Sequence, residues 1–93
     1  MQSNLSEERE KLVKSLGLDE DMTWALNDMF HTVEFERGFG LKAEQEMSNI
    51  IGAMTFLEHA RKIDQDQAED LWTMWAKYEA EGSKQNEAAG VAD

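Results

Sequence analysis

The chain has 93 residues, enough for one domain with a modest core, and its 20 acidic against 9 basic side chains give a net charge of −11. With no Cys, disulfides, thiolate chemistry and Cys-ligated zinc are excluded, and with no Pro the strongest helix breaker is missing. A charge of this sign repels nucleic-acid phosphate and anionic lipid, which argues against either as a direct partner.

The polar start, Met1 to Glu10, has no apolar leader core, and no stretch approaches the ~18 apolar residues of a membrane span, so a cytoplasmic setting is expected. Ser6 reads as a helix N-cap with Glu7 and Glu8 at the positive end of the helix dipole. Asn4 is an alternative cap, because Glu7 would then complete a capping box. Leu12, Val13 and Leu16 form a short apolar stripe, closed by a glycine stop at Gly17 with Leu18 behind it. Asp19 opens a second helix, in which Met22, Ala25, Leu26, Met29, Phe30 and Val33 follow the i, i+3, i+4, i+7, i+8, i+11 series of one face. Gly38-Phe39-Gly40 supplies its bend.

A third helix is expected from about Leu41, with a core face of Ala43, Met47, Ile50, Ile51, Met54 and Leu57. Its far side carries Gly52, Ala53, Phe56 and Ala60, which predicts a central helix packed on two sides. Asp64 and Gln67 have capping-box spacing behind the apolar Ile63 and start a fourth helix. On it Ala68, Leu71, Trp72, Met74, Trp75 and Tyr78 spread over roughly 160°, wider than a surface helix needs. Gly82 is expected to stop it. The expected fold is therefore all-α, a small bundle of three to four helices over residues 1–82, followed by a disordered tail over 83–93.

Charge is concentrated. Residues 17–37 hold Asp19, Glu20, Asp21, Asp28, Glu34 and Glu36 against Arg37, and residues 64–82 hold Asp64, Asp66, Glu69, Asp70, Glu79 and Glu81 against Lys77. If the second and fourth helices share a side of the bundle, that side is a negative face. Trp24, His31 and Phe35, at i, i+7 and i+11, project from the second helix opposite its core face, beside Asp28 and Glu34. Aromatic area on an acidic face marks a partner surface or packs against the first helix or the tail. The wide cluster on the fourth helix reads chiefly as core, with at least one large side chain, Trp72 or Met74, left over for a groove or a dimer seam beside Glu69 and Asp70.

Other chemistry is poorly supported. Asp28 with His31 has ligand-like spacing, but the pattern is not repeated as a two-metal bundle needs. Asp64-Gln-Asp66 lacks the glycine and closing glutamate of a calcium loop, so neither a metal nor any other cofactor is expected. His59-Ala-Arg-Lys62 has the His-x-x-Lys spacing of histidine phosphotransfer bundles, yet Ile63 and the Asp64 cap put it in a closing turn. No nucleophile elbow or phosphate loop is present, and an enzyme is not expected. The expected function is an acidic protein-binding module, an inhibitor or adaptor for a basic, nucleic-acid-handling protein. Small acidic chains of this kind are frequent among phage and mobile-element anti-defence proteins, including anti-restriction and anti-CRISPR inhibitors; the analogy is one of size and charge. The alternatives are a structural homodimer built on the aromatic stripes and, second, a histidine phosphotransfer module.

Overall fold

A computed structural model describes the backbone of residues 2–90 and the side chains of residues 5–84. Four helices follow in order, α1 (Gln2–Ser15), α2 (Glu20–Gly38), α3 (Glu44–His59) and α4 (Gln65–Gly90). Each packs on its neighbours in sequence, and α1 also packs on α4, so the helices close into a ring with α2 and α4 on one diagonal. Glu8 faces Lys77 while the Leu16 carbonyl accepts from Gln67 Nε2, so α1 and α4 run antiparallel. Val13, Phe30, Val33, Ile50, Met54, Leu71 and Tyr78 fill the middle, each almost fully buried.

The boundaries show which local signals prevail. α1 begins before both expected caps: Ser6 lies inside the helix, and its hydroxyl serves Glu34. The side chain of Asn4 lies outside the described residues. Gly17 takes φ +74 and ends α1 as expected, because the left-handed region costs glycine nothing. Asp19 caps α2 by accepting from the Met22 amide at 2.8 Å. α3 starts at Glu44, later than Leu41, since Ala43 stands in the left-handed region (φ 61) and gives the helix no side-chain cap. The Asp64–Gln67 capping box forms in both directions, at 2.9 and 2.8 Å.

Two expectations are corrected and one open condition is decided. Of the far side of α3 only Ala53 packs on the core, while Gly52, Phe56 and Ala60 are exposed, because in a ring of four each helix has two neighbours and none is central. α2 and α4 do not share a negative side, being diagonal. Gly82 does not stop α4, which runs through it to Gly90. A glycine inside a helix costs only about 1 kcal/mol, and here its missing Cβ is occupied space: a Cβ at Gly82 would meet Arg37 Nη2 at 2.3 Å. Arg37 crosses from α2 over Gly82 and donates from Nη1 to the Tyr78 carbonyl at 2.6 Å. Ser83 and Lys84 belong to the helix, and the rest of the expected tail, 85–93, lies outside the residues whose side chains are described.

Candidate functional site

α2 divides sharply. Leu26, Phe30 and Val33 are buried, and Met22 and Met29 pack beside them, so the periodicity delivers its apolar series to the core with only Ala25 left out. Opposite, the same 3.6-residue repeat carries Trp24, Asp28, His31 and Phe35 into solvent, with Trp24 68 % and Phe35 60 % exposed. Phe39, 72 % exposed, packs edge-on against Phe35 with ring centroids 5.0 Å apart and lengthens the aromatic strip. Its spacing of i+4 from Phe35 was visible in the sequence, but its place between two glycines made it read as part of a turn.

Trp24 also forms one wall of an open groove of about 500 Å³ between α1 and α2, with Glu10 and Lys14 on one side and Glu20, Asp28 and His31 on the other. No Lys or Arg occurs between Ser15 and Glu36, so the outer face of α2 is acidic without internal compensation.

Glu34 is half-buried at the edge of that surface, with Oε1 3.7 Å from His31 Nδ1. Its Oε2 accepts from Arg9 Nη2 at 3.0 Å and from the Tyr78 hydroxyl, and Arg9 itself is 2 % exposed. Arg9 Nε donates to Tyr78 Oη at 3.1 Å and Nη1 donates to Asn27 Oδ1 at 2.9 Å, so one guanidinium ties α1 to α2 and α4. Burial pushes the Glu34 carboxyl up, but hydrogen bonds from Tyr78, Ser6 and Arg9 outweigh it and hold the group below the ordinary carboxylate range. Burial raises the Tyr78 phenol above its usual range, reinforced by its bond to Glu34. The one sign of this network in the sequence is that Arg9 lies four residues from both Leu5 and Val13, on the apolar face of α1, where a cation needs partners.

The second group of expected residues is split. Met74 is core, 5 % exposed, and no partner can reach most of it. Trp72 is the large side chain left over, stacked edge-on against Trp75 at 6.1 Å, while Trp75 turns inward and donates to the Met47 carbonyl at 3.0 Å. Glu69 and Asp70 are exposed, and Asp70 lines the groove between α1 and α4 with Lys11 and Lys77. Trp72, Glu69 and Asp70 thus stand on the helix diagonal to Trp24, Asp28, His31 and Phe35, and the two groups do not form one surface.

The chain matches no protein-family model, no curated protein and no solved structure. What it does has to be read from its own surface. Among the described residues, no group of three or more His, Asp or Glu is placed to hold a metal ion, and no helix is long and apolar enough to cross a membrane. His59 is the last residue of α3, with Lys62 in the turn that follows.

Proposed function

We propose that this chain is a non-enzymatic, acidic protein-binding module that presents the outer face of α2 to a protein with a basic surface. The observation that carries the reading is the strip of Trp24, Phe35 and Phe39, all exposed, on a face whose charged residues are acidic. Apolar area of this size costs free energy in water, about 25 cal/mol per Å² left wet, and contributes only when a partner covers it. The acids around it raise the encounter rate with a basic partner and disfavour neutral or acidic ones. The narrower form is a cytoplasmic inhibitor or adaptor of a nucleic-acid-handling protein, of the phage or mobile-element anti-defence kind, that covers a site otherwise used for phosphate.

Affinity capture with the full chain at ~0.1 M and ~0.5 M salt tests this, with the Trp24→Ala/Phe35→Ala double variant in parallel. A basic protein retained at low salt by the wild type and lost by the variant is the expected result. Equal capture by both, or elution of the wild type as a dimer through these aromatics, would refute the reading.

A further inference from the structure

We infer that the partner engages this module as a basic amphipathic α-helix laid along α2, its apolar side chains seated on Trp24 and on the Phe35–Phe39 pair. The inference rests on the reading of the α2 outer face as a binding surface and adds the form of what binds there.

Three observations lead to it. The first is the geometry of the anchors. Trp24 and Phe35 are eleven residues apart on one helix, which places them about 16 Å apart at ~1.5 Å per residue. A second helix packed lengthwise has the same rise, so its own apolar positions at i, i+4, i+7 and i+11 come level with the two anchors and the span between. The groove between α1 and α2, about 500 Å³ with Trp24 as one wall, receives side chains at the Trp24 end.

The second is the backbone. The described residues form helices only, so no sheet edge is on offer to pair with an extended segment. An extended peptide on an aromatic strip would leave half its N–H and C=O groups facing rings that cannot bond them. A helix satisfies its own backbone and presents side chains alone.

The third is charge. Asp28 stands between the two anchors, Asp21 and Glu20 stand beyond Trp24, and Glu10 faces the groove from α1, with Lys14 the one exposed cation there. A bound helix therefore gains from Lys or Arg interleaved with its apolar positions. The same pattern disfavours a second copy of this chain as occupant, since it would set acidic faces together and bring together two chains of net −11.

A displayed library of random 16-residue peptides, selected on the full chain and counter-selected on the Trp24→Ala/Phe35→Ala variant, tests the inference. Both replaced residues are exposed, and an unchanged circular-dichroism melt would verify that the variant is folded. The expected result is enrichment of net-positive peptides with apolar residues at i, i+4, i+7 and i+11. A synthetic copy of the best one should gain helical signal on binding and bind the variant at least about tenfold more weakly. Enriched peptides that depend on the two aromatics but show alternating apolar residues, or no basic excess, would overturn the helical partner and leave the binding surface standing. Enrichment indifferent to the double substitution, or none, would overturn both.

Discussion

Arg9 and the Trp24–Phe35–Phe39 strip invert the usual distribution, a cation in the core and aromatic rings in water. The two inversions differ in how they are satisfied. Each nitrogen of the buried guanidinium has a protein acceptor, Tyr78, Asn27 or Glu34, so the burial cost is offset within the fold. Of the exposed rings, Phe35 and Phe39 pack on each other, and Trp24 borders the open groove between α1 and α2. An unusual residue whose partners are all internal holds the structure together, whereas one whose partners are missing is available to something outside it.

The largest effect should come from breaking the internal half. Arg9→Ala removes the cation from the half-buried Glu34 carboxylate, which keeps only Tyr78 and Ser6, leaves Asn27 Oδ1 without its donor and opens a cavity in the core, and about 3–5 kcal/mol of stability should be lost in urea titration. Proton titration should act on the same network from both ends. Glu34 is held below its ordinary value of 4.5, so its contribution is full above that pH and is lost as pH falls through the folded-state value. Tyr78 is held above its ordinary value of 10.0, so its contribution is full below that pH and is lost as pH rises beyond it. Urea midpoints measured across pH should fall at both extremes, and the acid limb should flatten in Glu34→Gln.

A smaller effect belongs to the Arg37–Gly82 seat. Gly82→Ala should gain nothing in the wild type, because the new methyl displaces the guanidinium from the Tyr78 carbonyl. In an Arg37→Ala background it should stabilise by about 0.5–1 kcal/mol, the ordinary helix-propensity difference, and a double-mutant cycle reads the coupling. Arg61 ends α3 in the left-handed region at φ 58, with the Lys62 amide bonded back to the Leu57 carbonyl at 2.8 Å. Arg61→Gly should raise stability by about 0.5–1 kcal/mol in the same assay. The smallest change in stability, within about 0.5 kcal/mol, is expected for Trp24→Ala and Phe35→Ala.

The sequence made the exposed half of this contrast legible and left most of the buried half hidden. On α2, one strict apolar series left Trp24, His31 and Phe35 on the opposite side by geometry alone. The Asp19 cap, the Gly17 stop and the Asp64–Gln67 box were readable because each is a local bond within a few residues. What failed depended on contacts between distant segments. Glu34 reads as a surface acid until Arg9 and Tyr78, 25 and 44 positions away, are seen to claim it. Gly82 reads as a helix stop until Arg37 occupies the space of its missing side chain. Met74 and Trp72 could not be ranked because the width of an apolar arc does not say which edge a neighbouring helix covers. The diagonal placement of α2 and α4, which separates the two acidic helices, has no signature in charge counts.

The most direct test of the contrast is one variant measured two ways, Trp24→Ala/Phe35→Ala by urea denaturation and, beside the wild type, by affinity for the proposed basic partner. Stability unchanged within about 0.5 kcal/mol with binding weakened at least about tenfold is the predicted result. Lost stability with unchanged binding would show that the rings serve the fold and that the outer face of α2 is not the site.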